Sequence, residues 1–501
     1  MAGGRLGLAL LLLAAGLLAL FAFQPIWDID LFWHLAAGRW MLTHLAWPST
    51  DILGFDPART WVSFQWGYEV LVALLDRWGG LGPVRLLHVV VSAGAFLLFV
   101  LLVRARQREA GQGGALWAWF LLALLFALWA DRVRVRPHVF NLFFEAALLL
   151  QLLRVPRSPL ALLGLFLTMF AWANLHAGGA FIFLVLALAL PAAAVLLRLV
   201  PGAAARWTAA EQLPLRALGA WGVLALACLA SPCWVGGVLQ ASNMLEGSEL
   251  IINEWLPFWS YFSIASHPLH LVSALGPLLT LGVVLWRLVG GGRGGRLDLW
   301  LLALGLALLP FRSNRFVYCD ALALALLLPG LPRPSGWGRG ALGVGAAALL
   351  ALTFQYHTVA QFGSVTGWAG SLPRDLDQRR FPVELADRLE GLGLSTANQE
   401  GISPKKIFCL PNWGGYLLYR AFPAVLVFSD GRGNFDLDTA TRLQFVYDYR
   451  HVPEYGPTIE KIYNESGADL VVLQHPVFPQ GYQPKAWQLL FEDPKGAVWG
   501  R

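Results

Sequence analysis

The strongest constraint on this chain is a series of long apolar runs separated by short polar breaks. A membrane-spanning helix needs about 17–25 mostly apolar residues. We place eleven such runs at residues 6–23, 81–103, 115–130, 138–153, 159–175, 178–199, 217–233, 268–289, 297–311, 316–331 and 340–356. Only 14% of the 501 residues are charged, whereas soluble domains carry about 25%. The pattern predicts a polytopic α-helical membrane protein and excludes a soluble multidomain enzyme.

The composition changes after the last apolar run. All of the lysines (Lys405, Lys406, Lys461, Lys485 and Lys495) lie beyond residue 400. The tail alternates patterns typical of strands (406–410, 424–429, 469–474 and a closing pair near 487–499) and helices (382–391, a helix from Trp413, 438–449 and 455–466). We therefore predict a transmembrane domain at 1–356 and a small α/β domain at 357–501.

The arginines predict an orientation in the membrane. With a cytoplasmic N-terminus and an uncleaved first helix, every cytoplasmic loop carries arginine, as the positive-inside rule demands. The alternative for residues 6–23 is a cleaved signal peptide. Eleven crossings then place the outer loops 24–66 and 234–266 and the whole tail outside the cytoplasm. The net charge of +6 is explained by these loop arginines, so nucleic acid is rejected as a partner.

Acidic residues gather in the first outer loop. Asp28 and Asp30 open a segment, residues 28–40, that reads as a helix with Trp33, Leu35 and Trp40 on an apolar side along the membrane surface. Acidic residues at a helix N-terminus are explained either by helix capping and the helix dipole or by a role in catalysis. Asp51 and Glu69 follow in the same region, and carboxylates at a membrane interface are costly unless paired or functional.

Two short outer loops carry arginine, although the positive-inside rule used above places arginine mainly in the cytoplasmic loops. Arg136 and His138 lie in one, and Arg312 and Arg315 in the other. Guanidinium groups at such spacings can converge on an anion, and arginine binds phosphate in a bidentate fork. The alternative is salt bridging to Asp28, Asp30 or Glu254.

Other polar residues have two interpretations each. Glu254 belongs either to a functional site or to an interfacial loop, and His176 either to a site or to a buried helix cap. In the tail, residues 411–417 follow a strand and open a helix, and residues 428–434 follow the next strand. A glycine pair and free amides at a helix start favour an anion or a polar sugar. Neither segment has the glycine spacing of a nucleotide-binding loop.

With these residues in order, the chain resembles the GT-C superfamily of integral membrane glycosyltransferases, and within it a bacterial group without assigned substrates. The resemblance extends over nearly the whole chain. It is carried by residues 28–40 (Asp-x-Asp-x-x-Trp-His-Leu-x-x-Gly-Arg-Trp), Asp51, Gln65-Trp66 with Glu69, Arg136-Pro137-His138, Asn174-Leu175-His176, Glu254-Trp255, residues 412–416 and Asp430-Gly431-Arg432.

The resemblance implies transfer of a sugar from a polyprenyl-phosphate donor to a glycan, lipid or protein acceptor at the outer face of the bacterial cytoplasmic membrane. Asp30, or Asp28, would be the general base. The implied substrate-binding residues are His34, Arg39, Asp51, Glu69, Arg136, His138, His176, Glu254, Arg312, Arg315, Trp413, Tyr416, Asp430 and Arg432. No cofactor is certain, and a divalent metal, Mg or Mn, stays open.

A looser resemblance is to the catalytic subunits of oligosaccharyltransferases, through Asp30, Glu254 and residues 412–416. Their Trp-Trp-Asp-Tyr-Gly acid is replaced here by Gly414 or Gly415, so recognition of a protein sequon is not carried over. Two other functions are weighed. A transporter of a lipid-linked or polar solute is disfavoured by the few charged residues inside the apolar runs, and a non-catalytic scaffold would use residues 412–416 and 430–434 as a recognition patch.

Overall fold

The structure is a computed structural model of the 501-residue chain. It describes Gly16 and residues 18–110, 115–153, 158–186, 215–232, 256–264, 267–289, 297–331, 335–360, 362–394, 403–432, 455–475 and 483–501. These residues fall into two compact units. The helical unit holds the described parts of 1–24, 85–234 and 254–373, and the mixed unit holds those of 25–84 and 374–501.

The helices are numbered in chain order. They are α1 (Asp30–His44), α2 (Trp66–Gly79), α3 (Leu81–Ala110), α4 (Ala115–Trp129), α5 (Val139–Leu152), α6 (Pro159–Leu175), α7 (Ala177–Leu186), α8 (Leu215–Leu229), α9 (Pro268–Val289), α10 (Leu297–Arg312), α11 (Cys319–Leu327), α12 (Gly336–Gln355), α13 (Val365–Ser371), α14 (Val383–Gly391), α15 (Pro411–Ala421) and α16 (Tyr455–Glu465). The strands are β1 (Lys405–Phe408), β2 (Val425–Val427), β3 (Leu470–Gln474), β4 (Gln488–Asp493) and β5 (Gly496–Gly500).

The helical unit is built from apolar helices. Among the described residues, three helical segments are long and apolar enough to cross a membrane: Leu81–Glu109, Pro268–Arg287 and Gly336–Val359. Shorter apolar helices accompany them, and α6 shows a local start signal, because Ser158 Oγ accepts from the backbone N–H of Ala161 at 3.2 Å ahead of Pro159. A membrane protein is therefore indicated, and the count of eleven spans stays a prediction.

The mixed unit contains a five-stranded sheet in the order β2-β1-β3-β5-β4. Strand β1 runs parallel to β2 and β3, whereas β5 is antiparallel to β3 and β4. The central strand β3 (Leu-Val-Val-Leu-Gln) is buried along its first four residues, as a run of β-branched and aliphatic residues favours. The tail core includes Phe408, Ile459, Tyr463, Val471, Leu473, Trp487 and Trp499.

The first outer loop is part of this mixed unit. Ile26 forms a bridge with Leu376, and Gly54 forms one with Val427, whose backbone N–H donates to Leu53 O at 3.1 Å. The expected division at residue 357 therefore differs from the observed one, in which residues 25–84 pack with the tail from residue 374 onward. Backbone bridges between segments so distant in sequence produce no local pattern in the amino-acid sequence, so the sequence could not predict them.

The predicted tail elements are confirmed within a few residues. Strands were expected at 406–410, 424–429, 469–474 and 487–499, and the observed strands lie within those limits except for Lys405 and Gly500. Helices α14, α15 and α16 match the three helices predicted near 382, 413 and 455. The helix predicted at 438–449 lies outside the described residues.

Candidate functional site

Helix α1 begins at the acids of the first outer loop. Asp28 is buried, and its Oδ1 accepts a hydrogen bond from the backbone N–H of Asp30 at 3.0 Å. Ile29 occupies the N-cap position and supplies no side-chain bond, so Asp28 satisfies one of the exposed donors of the first turn. Asp30 is the first residue of the helix and is half-buried, which makes it the better candidate for contact with a substrate.

The carboxylate of Asp30 lies against the backbone of Gly431. A Cβ placed on residue 431 would be 2.1 Å from Asp30 Oδ1 and 3.4 Å from Trp33 Nε1. Any side chain at 431 would therefore displace the acid. In the Asp430-Gly431-Arg432 segment, the glycine therefore supplies the close backbone approach that leaves space for the Asp30 carboxylate.

The glycine pair at the start of α15 also serves packing. A Cβ on Gly414 would be 1.9 Å from Ser429 O, and one on Gly415 would be 2.9 Å from Ile29 O. The backbone N–H of Gly414 donates to Leu410 O at 3.3 Å. The prediction of an anion or sugar at this helix start is thus replaced by contacts with the end of β2 and the start of α1.

His34 and Glu69 form a buried pair between α1 and α2. His34 Nδ1 lies 3.3 Å from Glu69 Oε1, and Ser63 Oγ donates to Glu69 Oε2. Burial raises the pKa of Glu69 to about 8, although the Ser63 hydrogen bond and the charge of Arg432 lower it. Both side chains are about 1% exposed. The pair is therefore buried in the interior of the mixed unit.

Arg432 is enclosed by two carboxylates. Its Nη1 donates to Asp51 Oδ1 at 2.6 Å, its Nη2 donates to Asp430 Oδ2 at 2.7 Å, and its guanidinium lies over the Trp61 ring. Burial alone would raise the pKa of Asp51, but Arg432 and the backbone N–H groups of Leu53 and Gly54 lower it below its usual value. Asp51, Asp430 and Arg432 were expected to bind substrate; all three are buried in mutual ion pairs, and their binding role stays a prediction.

Three further expected binding residues are used for packing. Arg39 donates to Tyr419 O at 2.7 Å and to Asp76 Oδ2 at 2.6 Å. Trp413 is buried with its Nε1 donating to Arg380 O. Tyr416 is buried against the ring of Phe32 and bonded to Arg420. These contacts give each residue a structural role, and the substrate-binding assignments of these residues stay predictions.

The membrane-facing side expected for α1 is corrected too, since Leu35 and Trp33 are buried inside the mixed unit. The scaffold hypothesis requires residues 412–416 and 430–434 to form a recognition patch on the protein surface. The described side chains of this patch do not provide such a surface. Trp413, Tyr416, Asp430 and Arg432 are all buried. Residues 433 and 434 of that patch lie outside the described residues.

A cavity of about 940 Å³ opens in the mixed unit at the other end of α1. Arg39, His44, Arg77, Pro404 and Phe422 line part of it. Nine residues separate Arg39 from Asp30, which is about 14 Å along a helix axis. Asp51 also lines the cavity, and it pairs with Arg432, the residue that follows Gly431.

In the helical unit, the two loops that carry outer arginines meet. The guanidinium of Arg132 donates to Asn314 Oδ1 at 3.3 Å, and His138 Nε2 lies 2.9 Å from Arg132 O. Arg136 and Arg315 are half-buried, and Arg312 is exposed at the end of α10. The contact brings residues 132–138 and 312–315 together. The sequence could suggest this proximity only because both loops are predicted on the same side of the membrane.

His176 joins the same group of loops. It ends α6, and its Nδ1 accepts from the backbone N–H of Gly179 at 3.1 Å. Burial, and then the positive charge of Arg315, lower the pKa of His176 to about 3. The ring is therefore a neutral helix-terminal group facing a cationic region, in line with the capping interpretation. Glu254 lies outside the described residues.

The sequence analysis missed ionisable residues inside the apolar helices. Glu145 of α5 and Asp320 of α11 are buried, and Tyr318 Oη donates to Glu145 Oε1 at 3.1 Å. Arg85 of α3 is also buried and donates to Leu372 O at 3.0 Å. The signal was present, since each is an isolated charged residue within a predicted span. Contrary to expectation, buried charged residues therefore occur in three of the predicted apolar runs, 81–103, 138–153 and 316–331.

No group of three or more His, Cys, Asp or Glu side chains is arranged to hold a metal ion within the described ranges. Asp28 is used as a cap and Asp51 and Asp430 are used by Arg432, so these acids do not form a shared ligand set.

Comparison with known proteins gives a match of fold. No protein-family model matches the chain, and no curated protein sequence matches it. Among solved structures, the chain is similar to archaeal oligosaccharyltransferase AglB from Archaeoglobus fulgidus in complex with an inhibitory peptide and a dolichol-phosphate, with a TM-score of 0.54 and 12% identity. That match covers 93% of this chain and 69% of AglB.

A second solved structure is ArnT from Cupriavidus metallidurans bound to undecaprenyl phosphate, with a TM-score of 0.55 and 13% identity over 100% of this chain and 98% of ArnT. AglB and ArnT are both GT-C superfamily membrane glycosyltransferases. The chain therefore has the GT-C fold, and the fold expected from the sequence resemblance is confirmed.

Proposed function

We propose that this protein is a membrane glycosyltransferase that moves a sugar from a polyprenyl-phosphate-type lipid to an acceptor at the outer face of the bacterial cytoplasmic membrane. The GT-C fold supports this function class. Two proteins of similar fold were solved with dolichol-phosphate and with undecaprenyl phosphate. A lipid phosphate is therefore the ligand for which the chain should be tested first.

The observation that carries the proposal is the meeting of the arginine loops in the helical unit. Arg132 contacts Asn314, and this contact places Arg136 in a loop next to the loop of Arg312 and Arg315. Arginine suits a phosphate because its planar guanidinium binds two oxygens at once. We assign Arg136, Arg312 and Arg315 to the phosphate of the donor, with His138 and His176 beside them.

Asp30 is the proposed general base. The acceptor hydroxyl gives its proton to the Asp30 carboxylate while its oxygen forms a bond to the anomeric carbon. The bond from that carbon to the phosphate oxygen breaks, and its electron pair leaves with the polyprenyl phosphate. A positioned base contributes about 10²–10⁴-fold to such a step, and cations that hold the leaving phosphate stabilise the charge that develops there.

Lipid-dependent thermal stability in detergent tests the donor site. Wild-type protein should be stabilised by added undecaprenyl phosphate, by about 2.7 kcal/mol at one hundred times the Kd. Arg136→Gln, Arg312→Gln and Arg315→Gln should each fold and lose part of that stabilisation. Arg339→Gln, which removes an exposed arginine of α12, is the matched control. Equal stabilisation of all four variants would contradict the phosphate assignment.

A second candidate is transport of a lipid-linked or polar solute, and one observation favours it. Glu145 and Asp320 are ionisable groups buried in apolar helices, and such residues often mark pathways through membranes. Proteoliposomes with a fluorescent undecaprenyl phosphate in one leaflet test this function. Protein-dependent transfer between leaflets that Glu145→Gln abolishes would favour transport over glycosyl transfer.

A further inference from the structure

The cavity of about 940 Å³ in the mixed unit has no role in the proposed transfer. Its walls come from the second half of α1, the end of α2, the loop between these helices and the residues at the start of β1 and β2. Protein cavities that hold small molecules measure about 300–1,000 Å³. This cavity is therefore large enough for a small-molecule ligand.

The acids that line the cavity already have partners. Asp51 Oδ1 accepts from Arg432 Nη1 at 2.6 Å, and Asp76 Oδ2 accepts from Arg39 Nη2 at 2.6 Å. The hydroxyl of Tyr419 also donates to Asp76 Oδ1 at 3.2 Å. Because arginine balances the charge of each carboxylate, neither acid offers a free negative charge that would attract a cationic ligand.

Arg77 is a lining cation whose charge is not balanced in this way. It is exposed in the last turn of α2 and forms no hydrogen bond or ion pair within the described part of the chain. One explanation for its position is the helix dipole, which favours a cation at a helix C-terminus. The other is an anionic ligand, since a guanidinium group binds a carboxylate or a phosphate through two hydrogen bonds. The charge that the cavity offers to a ligand is therefore positive.

The rest of the cavity offers hydroxyl-binding atoms and ring surfaces. His44 Nδ1 donates to Trp40 O at 2.9 Å, and the two rings stack with their centroids 4.3 Å apart. This bond leaves His44 Nε2 for a ligand. Thr43 Oγ1 donates to a backbone carbonyl one turn earlier at 2.9 Å, and its oxygen can still accept a hydrogen bond. Phe422 adds apolar surface to the lining.

We propose that this cavity binds an acidic saccharide, with its anionic group on Arg77 and its hydroxyl groups on His44 and Thr43. A sugar ring carries hydroxyl groups at its edge and C–H groups on its faces, so it fits a lining of polar side chains and rings. A lipid acyl chain would need a continuous apolar wall, which these polar side chains interrupt. The anionic group is a carboxylate or a phosphate. The inference goes beyond the proposed transfer, because the cavity lining includes neither Asp30 nor the arginine loops.

Titration calorimetry of the full-length protein, in a detergent without sugar groups, tests the site. Trigalacturonate is the carboxylate probe and glucose-6-phosphate is the phosphate probe, with maltotriose as the neutral counterpart. We expect at least one acidic probe to bind and maltotriose to bind about tenfold more weakly or worse, because it makes no charged hydrogen bond with Arg77. Failure of both acidic probes to bind would overturn the proposal, and so would equal binding of maltotriose.

Arg77→Gln removes the proposed anion contact. It should weaken binding of the acidic probe by about tenfold or more. Arg374→Gln removes an exposed arginine of the same unit that does not line the cavity, and it should leave binding unchanged. Wild-type affinity in Arg77→Gln would overturn the site and leave Arg77 with its helix-dipole role. Inorganic phosphate that binds as tightly as the acidic sugars would reveal a simple anion site and overturn the saccharide assignment.

Undecaprenyl phosphate separates this inference from the proposed function. Its stabilisation of the protein should be the same in Arg77→Gln and wild type, because the variant leaves the arginine loops intact. Absence of saccharide binding in a protein that the lipid stabilises would overturn the cavity site alone. Saccharide binding that depends on Arg77, in a protein that the lipid does not stabilise, would support the cavity site and contradict the proposed donor.

Discussion

The carboxylate of Asp30 and the backbone of Gly431 lie so close that a single methyl group on residue 431 would be 2.1 Å from Asp30 Oδ1. Asp30 begins α1 in the first outer loop, and Gly431 follows β2 in the tail. The position of the candidate base thus depends on a residue some 400 positions away in the chain.

Gly431→Ala should displace the Asp30 carboxylate, because a Cβ cannot come this close to an oxygen. We expect loss of most glycan product and destabilisation of about 1–3 kcal/mol, as overpacking usually costs. Glycan mass spectrometry and thermal unfolding measure the two effects. A Cβ on Gly391 would meet nothing within 4 Å, so Gly391→Ala is the control, and equal product from both variants would contradict the role of Gly431.

Arg432→Met should leave Asp51 and Asp430 buried without a counter-charge. Removing one partner of a buried ion pair costs about 3–5 kcal/mol, so we expect strong destabilisation in thermal or chemical unfolding. Lys461→Met removes an exposed cation of α16 and should change stability by less than about 0.5 kcal/mol. If Arg432→Met were as stable as the control, the ion network would not support the fold.

Glu69→Gln should alter how stability depends on pH. Burial raises the pKa of Glu69 to about 8 from its usual 4.5, so the folded state holds the proton that the unfolded state releases. The free energy of unfolding should therefore fall as the pH rises from about 4.5 to about 8, and Glu69→Gln should remove that part of the fall. Unfolding midpoints from pH 5 to 9 measure it, with the exposed Glu384→Gln as control. An identical pH dependence in wild type and Glu69→Gln would refute the assignment.

Glu145→Ala should destabilise the helical unit, because Tyr318 Oη would lose its acceptor inside apolar helices. The expected cost is about 1–3 kcal/mol for an unsatisfied buried polar group. Glu145→Gln keeps an acceptor oxygen at the same position and should unfold nearer to wild type in detergent. Equal destabilisation by the two substitutions would show that the Tyr318 bond contributes little.

The sequence was sufficient for the kinds of elements and for the fold class. Apolar runs of membrane length, together with the alternating pattern of the tail, predicted a helical membrane part and a sheet. These are local properties, since periodicity and length are read within a few residues. Glu145 and Asp320 are likewise visible in the sequence as single charges within apolar runs.

Roles of individual site residues were harder to predict, because partners distant in sequence decide them. Asp51 and Arg432 are 381 positions apart and form an ion pair, so each looked like a free functional charge. Gly414 and Gly415 had the local pattern of a ligand-binding helix start, yet Ser429 and Ile29 occupy the space beside them. Only the tertiary contacts distinguish a buried structural charge from one that can meet a substrate.

The most direct test of the proposed chemistry is the glycan product of Asp30→Asn in a strain lacking the gene. The amide keeps the shape of the side chain and removes the base, so the folded variant should bind undecaprenyl phosphate and yield no glycan product by mass spectrometry. Asp28→Asn is the matched control, and it should keep both the product and the stability, because the asparagine Oδ1 can still accept from the backbone N–H of Asp30 and asparagine caps a helix about as well as aspartate. Full glycan product from a folded Asp30→Asn protein would contradict the role of Asp30 as the base.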